Sequence, residues 1–557
     1  MAELLRQEHR RVDALSDGER DLGALFDLSY RSLTAAHQQL FRRLGLIPGP
    51  DTEAHAGAAL ADVEPVRAHA LLEDLVDHNL LMQHALGRYG MHDLVRLHAR
   101  ALAGRDPADE RDAALDRLLD YYQHTASRAE DLVSRFPGLA APARAPAYPP
   151  ALPDPGAAWT WLRAERPNLL AALRHTAAHG RPERSIALTA NLAGLLRADG
   201  PWPQAITLHA AAADTADRLG DRRGRAHALI WSGDLRGVTG DFAGAARDLR
   251  EAADIARDLG DRPGQANALI RLGQVSGFLG DHPAAIRDLC RGLELFGALG
   301  VRRGQANGLT LLGQVRGMTG DFPGAARDLR RALDIARDLG DRPGQANALS
   351  RLGLVRKRTG HFPAAVRDLQ QALAVYRDSG DRLGQANALA GLGEVRCAAG
   401  DHAGALRDLH DAADLFQALG EQLGQANVLT TRGRVRGLTG DHPRALRDLR
   451  EALGLYERIG AHGNKAPALN GYATSLAATG DRARALMVYG EALRLARQTL
   501  QPENEGEALE GIGECGLGDG DVEAGLAHLK QALEIFRRLS MGPDADRVQG
   551  RLSRIGS

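Results

Sequence analysis

Lysine is nearly missing from this chain: of 70 basic residues only Lys357, Lys465 and Lys530 are lysines. A phosphate-cradling loop needs Gly-Lys-Ser/Thr, with the lysine on the β- and γ-phosphates. The three lysines follow Arg356, Asn464 and Leu529, so no such loop exists here. Cysteine is scarce too, and Cys290, Cys397 and Cys515 form no CxxC pair, which excludes a disulfide framework and a cysteine zinc site. No run of about 18 apolar residues occurs, and the opening MAELLRQEHRR lacks the apolar core of a secretory leader. A cytoplasmic protein with no membrane contact is therefore expected. Charge of one sign is also lacking: the net charge is −1, so no global basic field points to nucleic acid. HExxH and GxSxG are absent, and the hairpin expected near residue 86 separates His78, His84, His92 and His98. No catalytic residue, no metal site and no cofactor of the chain's own is expected. The excess of arginine over lysine fits a GC-rich bacterial genome.

What the chain has in abundance is itself. Residues 240–275 and 320–355 differ at five positions in thirty-six, and Gly-Gln-Ala-Asn recurs from Gly264, Gly304, Gly344, Gly384 and Gly424, a period of 40. Self-similarity at a fixed period of this size signals a solenoid. Each unit reads as two helices. Asp261 caps the first, with Pro263 in its opening turn, and Leu269, Leu272 and Val275 recur at helical spacing. Gly273 admits a close neighbour. Gly280 ends that helix, Asp281 and Pro283 start the second, and Ala285, Leu289, Leu293 and Leu295 make its apolar stripe. Neither helix can bury its face alone, so units must stack.

The recurring Leu272-Gly273, Gly280-Asp281, Ala285, Leu289 and Leu293 resemble the tetratricopeptide repeat (TPR). The period exceeds the usual 34, which implies longer helices, as in kinesin-light-chain-like TPRs. One departure is consistent: the usual first-helix aromatic is replaced by Arg236, Ser276, Arg316, Arg356, Arg396 and Arg436. Residues 181–557 are thus expected to form about nine units, from a degenerate one at Arg184–Gly220 to a last one near Glu505–Leu539. The adjacent Arg-Asp pairs, such as Arg247-Asp248 and Arg287-Asp288, do not face each other on a helix and read as a solvated or inter-repeat charge row.

Residues 1–104 are of another kind. Helices are expected over Glu19–Ser32, Thr34–Leu44, Thr52–Ala61 and Glu64–Asn79, then strands Leu80–His84 and Arg88–Met91, then a helix from Asp93: a winged helix. Its candidate reading helix carries Glu64, Glu73, Asp74 and Asp77 against Arg67 alone, and the 104 residues hold 11 arginines against 15 acids. Phosphate would repel that helix, so no direct DNA contact is expected. Leu28–Asp51, Leu71–Leu81 and Arg88–Ala99, with the literal Met91-His92-Asp93, resemble the winged-helix part of NB-ARC regulators, the AfsR-type, STAND-class switch proteins. In that family the histidine approaches the β-phosphate of ADP, so the resemblance implies that His92 and Asp93 sense nucleotide, ADP or ATP, only when a P-loop domain is present. Without one, Asp93 simply caps a helix and His92 ends a strand. The resemblance further implies the C-terminal portion of an NB-ARC–TPR protein, or a shortened relative, with no nucleotide hydrolysis of its own.

Residues 105–180 read as a connector: a helix over Asp109–Val133, a linker at 136–156 with seven prolines, and an apolar pair of helices from Ala157 to Gly180 that caps the first repeat. The overall expectation is a mainly α protein in three parts: winged helix, helical connector, TPR superhelix.

The candidate site is a ladder on the first helices. Asn267, Asn307, Asn347, Asn387 and Asn427 hold one position in five successive units. Ile270 and Gln274, Thr310 and Gln314, Ser350, Glu394 and Arg434 lie three and seven residues further on. A column of carboxamides can hold an extended peptide backbone, with the variable neighbours giving specificity. Equally, the asparagines could staple adjacent helices, and both readings stay open. The expected partner is a protein or peptide, including the protein's own NB-ARC domain. The expected function is the sensor half of a signalling regulator of transcription; the alternative is a free-standing TPR scaffold or peptide receptor without a switch role.

Overall fold

The computed structural model describes residues 26–134 and 143–555. The start of the expected helix Glu19–Ser32 and part of the 136–156 linker lie outside the described residues. The chain divides into two compact bodies, one ending at Leu192 and one comprising Ala193–Ser557 apart from a short stretch after Val133.

In the N-terminal body, helices Ala35–Leu44, Ala54–Ala61, Pro65–Asp77 and Asp93–Ala103 surround a small antiparallel sheet, the arrangement of a winged helix. Strands β2 (Met82–Ala85) and β3 (Arg88–Gly90) form the expected hairpin, and an unforeseen β1 (Asp51–Thr52) pairs with β3 on its other side, Asp51 opposite Gly90. Two residues carry no periodicity to read, which is why β1 is invisible in the sequence. The hairpin also starts later than expected. Asn79 adopts φ 57°, and the turn it makes sends Leu80 and Leu81 into the core instead of the sheet. The expected helix pair over Ala157–Gly180 is one helix, Pro155–Ala178, running through Pro167. Its buried residues from Ala158 to Thr176 keep one face at helical spacing, with no glycine to break it. With Ala108–Val133 and Pro182–Asn191 this helix belongs to the N-terminal body.

Among the described residues the second body is a stack of nine helix pairs, here called units 1–9, each an A helix followed by a B helix. Unit 1 is Ala193–Asp199 with Trp202–Leu219; unit 2 is Arg222–Thr239 with Phe242–Asp258; unit 5 is Arg342–Arg358 with Phe362–Ser379. Unit 9 is Pro502–Gly518 with Val522–Arg538, and a single helix, Gly542–Ile555, follows it. Aspartates cap helix after helix. The bond to the third residue's N–H is 2.8–3.0 Å where that residue is glycine, as for Asp261 to Gly264. It lengthens to 3.1–3.3 Å where the residue is alanine or arginine. A Cβ on Gly264 would lie 2.6 Å from the capping carboxylate, so the glycine of the repeated motif is there to let the cap close. Gly273 allows close helix contact as expected: its missing Cβ would meet Leu289 at 2.7 Å.

The departure from the family's aromatic is resolved within each unit. Arg236, Arg316, Arg356, Arg396 and Arg436 reach across to Asp248, Asp328, Asp368, Asp408 and Asp448 on their own B helices, at 3.0, 2.5 and 3.1 Å for the first, second and fourth pairs. The Arg-Asp row is therefore not an inter-repeat feature; its aspartates join the two helices of one unit. Unit 3 breaks the series, since Ser276 replaces the arginine; burial pushes the Asp288 carboxyl up, as it does those of the bridged Asp328, Asp368 and Asp408.

The array curves far enough to meet itself. A Cβ on Gly240 would lie 2.9 Å from Ile459, on Gly280 3.1 Å from Thr499, on Gly320 2.5 Å from Leu539 and on Gly360 3.1 Å from Pro543. The matching glycines of later units, Gly400, Gly440, Gly480 and Gly520, meet nothing. The A–B turns of units 2–5 thus support the B–A turns of units 7–9 along a seam. Phe242, Leu272 and Val275 share one apolar cluster with Ile459 and Ala461, and Phe322 and Val355 share another with Leu539 and Met541.

Candidate partner-binding site

A helices touch the A helices of neighbouring units as well as their own B helices, which puts them on the inner, shorter side of the curve. Three residues along an α-helix fall about 60° short of a full turn, whereas seven fall only about 20° short of two. That difference sorts the candidate residues. Ile270, Thr310 and Ser350, three after the asparagines, turn toward B helices and are buried; the equivalent Thr430 hydroxyl lies 3.2 Å from Tyr456 of its B helix. Gln274, Gln314, Glu394 and Arg434, seven after, are half-buried and form one row with Asp234 along the inner face.

The asparagines lie between these two faces and do not behave alike. Asn347 and Asn427 each accept a 2.7 Å bond from the hydroxyl of Tyr376 or Tyr456 on their own B helix. Where that aromatic is Phe296 or Phe416, the asparagine bonds its own helix: Asn267 donates to the Pro263 carbonyl at 3.0 Å and Asn387 to the Leu383 carbonyl at 2.9 Å. Asn267 is fully buried and Asn387 exposed. Asn307 Nδ2, Gln314 Oε1 and Ser350 Oγ are buried with no hydrogen-bond partner among the described residues. The link between units falls instead on the neighbouring glutamines. Gln305, Gln345, Gln385 and Gln425 each donate to a carbonyl of the preceding B helix, all at 3.2–3.3 Å. Their fixed place beside each asparagine is the signal that could have identified them.

The inner row is charged and linked between units. Asp234 sits between Arg197 of unit 1, at 2.7 Å, and Arg271 of unit 3, whose guanidinium lies 4.6 Å over the Trp231 ring. Burial works against the Asp234 carboxylate, but the two arginines overcome it and hold its pKa at about 2. His209 stacks near Trp231 at 6.3 Å, and burial with Arg271 nearby drives its pKa down to about 3, so it is neutral. Lys357 donates to Glu394 at 2.5 Å, from unit 5 to unit 6. Arg434 donates to Glu507 at 2.9 Å, passing over unit 8, and Arg358 pairs with Glu503.

In the N-terminal body, Arg88 of β3 pairs with Asp51 and with the buried Glu165. Asn168 donates to both carboxylates at 2.8 Å. Burial opposes the Arg88 charge, yet the two acids raise its pKa, and burial in turn raises that of Glu165. This network ties the strand leading to Met91-His92-Asp93 to helix Pro155–Ala178. His92 itself is the exposed N-cap of helix Asp93–Ala103, makes no capping bond, and is followed by an exposed Asp93 in the first turn. Among the described residues no group of acidic, cysteine and histidine side chains could hold a metal, and no helix is long and apolar enough to cross a membrane.

The tetratricopeptide repeat family matches residues 304–378 and 384–458. The chain is 38% identical over 266 residues to the regulatory protein AfsR of Streptomyces griseus and 35% identical over 258 residues to AfsR of Streptomyces coelicolor. Each alignment covers 45% of this chain and 26% of the relative, so the chain matches about a quarter of the length of those proteins. Among solved structures, a Rap protein complexed with competence and sporulation factor aligns with TM-score 0.48 and 14% identity, over 61% of this chain and 96% of that one. A STAND protein with a tetratricopeptide repeat sensor from Pyrococcus horikoshii aligns with TM-score 0.34 and 15% identity, over 96% of this chain and 67% of that one. Over the shared stretch this chain is similar to the AfsR regulatory proteins, and its second body stacks paired helices of which residues 304–378 and 384–458 match the tetratricopeptide repeat.

Proposed function

We propose that the chain is the sensor part of an NB-ARC-type regulator of transcription, that the inner face of its repeat array binds a peptide or protein segment, and that it is not an enzyme. The observation that carries this reading is the contrast between rows. The glycine that closes the A-helix cap, the glutamine that links units and the glycine that admits the B helix (Gly264, Gln265, Gly273 and their equivalents) repeat without change from unit 3 to unit 7, while the inner row runs Asp234, Gln274, Gln314, Leu354, Glu394, Arg434. A scaffold alone needs no such variety; a surface that reads a partner's side chains does.

The N-terminal body would relay occupancy. Its exposed His92 and Asp93 lie at the end of β3, where a nucleotide-binding domain could contact them, and Arg88 ties that strand to the long connector helix. ADP would bind only with such a domain present. Isothermal titration of residues 1–557 with ADP should show no binding, and addition of a P-loop domain from an AfsR relative should restore ADP binding in a His92-dependent manner. Binding of ADP to the chain alone would overturn this assignment. A folded pair whose ADP affinity ignores His92→Ala would favour the free-standing scaffold.

A further inference from the structure

We propose that the inner face between units 5 and 9 takes an acidic peptide segment, whose carboxylates replace Glu503 and Glu507 on Arg358 and Arg434, and that its entry parts the seam at the C-terminal end of the array. The inference rests on the inner face being the partner site. Its starting point is that Arg358–Glu503 joins unit 5 to unit 9, and Arg434–Glu507 joins unit 7 to unit 9. Neither pair belongs to the nearest-neighbour packing that holds a solenoid together. Both close the inner face from one side, with carboxylates from the opening turns of a single helix, Pro502–Gly518.

Which half of this latch moves follows from position. Units 5–7 have full units on both sides, whereas beyond unit 9 lies only the helix Gly542–Ile555. Unit 9 stacks on one full unit only and is otherwise held by that last helix and the seam to unit 4, so it is the half that can withdraw, and the seam parts as it does. When unit 9 withdraws, Lys357, Arg358 and Arg434 face Glu394 alone, three cations against one carboxylate. Arg358 and Arg434 retain side-chain exposures of 34% and 40%, so an incoming group can reach them. A segment with two carboxylates would restore both charge-assisted bonds; a basic segment would be repelled. Glu503 and Glu507, four apart on one helix face, mark the spacing such a segment would match.

The test uses the full chain and three fluorescein-labelled peptides: the acidic PENEGEALEG (residues 502–511), the same peptide with Gln for each Glu, and one with Lys for each Glu. Fluorescence anisotropy should show salt-sensitive binding of the acidic peptide only. E503Q/E507Q should bind it at least tenfold tighter, and R358Q/R434Q should lose it. Hydrogen exchange in helix Pro502–Gly518 should quicken when the peptide binds. If E503Q/E507Q fails to fold, the charge-reversed R434E/E507R, which keeps the bridge, takes its place and should bind the acidic peptide at least tenfold more weakly than the wild type. Equal binding of all three peptides would leave the inner-face reading standing and sink this inference. An E503Q/E507Q chain that exchanges faster in this helix, as an opened latch should, yet binds none of the three peptides would count against both.

Discussion

At the scale of single residues, the asparagines differ by the aromatic each one faces. Asn347→Ala removes the acceptor of the Tyr376 hydroxyl and should cost about 1 kcal/mol, or more because the donor stays buried. Asn387→Ala, at an exposed side chain bonded only to its own helix, should stay within about 0.5 kcal/mol. Thermal melts of the two variants side by side check this, and equal shifts would contradict it. Asp234 gives the larger effect. Asp234→Asn leaves Arg197 and Arg271 without their shared counter-charge and should cost about 3–5 kcal/mol at neutral pH. Because the folded carboxyl titrates at about 2, below the ordinary value near 4, its contribution is complete above that ordinary value and fades as pH falls from about 4 toward 2. The gap between wild type and variant in urea unfolding should therefore narrow over that window. The sequence exposes the asparagine ladder, since five copies at one spacing cannot be missed. It conceals the partner of each copy, because Tyr376 and Tyr456 stand 29 positions downstream, where other units carry phenylalanine or alanine.

At the scale of the helix pair, units 2, 6 and 7 are each a small closed circuit of two acidic caps, a glycine contact and an Arg–Asp bridge, and units 4 and 5 share the contact and the bridge. Unit 3 lacks only the bridge. Ser276→Arg should supply it to Asp288 and raise the melting temperature, by an amount equivalent to no more than about 1 kcal/mol for a partly exposed pair. A lowered melting temperature would mean that the buried Ser276 site cannot take the longer side chain. The repeat frame, the helix boundaries and the caps are legible because Asp, Gly and Pro announce helix ends through local backbone chemistry. The bridge is not. Its two members sit twelve residues apart on different helices, and adjacent Arg-Asp letters suggest a pairing that helix geometry forbids. Helix Pro155–Ala178 was hidden for a related reason: Pro167 looks like a break, yet the apolar face continues past it.

At the scale of the whole array, the seam distinguishes glycines that are otherwise equivalent. Gly320 and Gly440 have φ of 84° and 83°, so alanine imposes the same backbone strain at both. Only at Gly320 would the new methyl also press on Leu539. Gly320→Ala should therefore be less stable than Gly440→Ala by about 1–3 kcal/mol, the usual cost of overpacking. Matched denaturation curves decide it, and coincident curves would argue that the turns do not touch in solution. Nothing in the sequence foretells this contact, because near-identical units give no hint of how tightly their superhelix winds.

The seam also bears on how such a gene can change. Near-identical tandem copies invite recombination that drops or adds one, and for a simple linear stack the copy number would hardly matter. Here the count is coupled to a pairing of turns five units apart or nearly so, as Gly240 with Ile459 and Gly360 with Pro543. Loss of residues 300–339 would slide the later turn by one step, setting Gly240 against Thr499 and Gly280 against Leu539. The last free edge would then have no counterpart. A tract of this kind should tolerate substitutions within copies more readily than changes in their number, and the residues at its turns record which number the present winding requires.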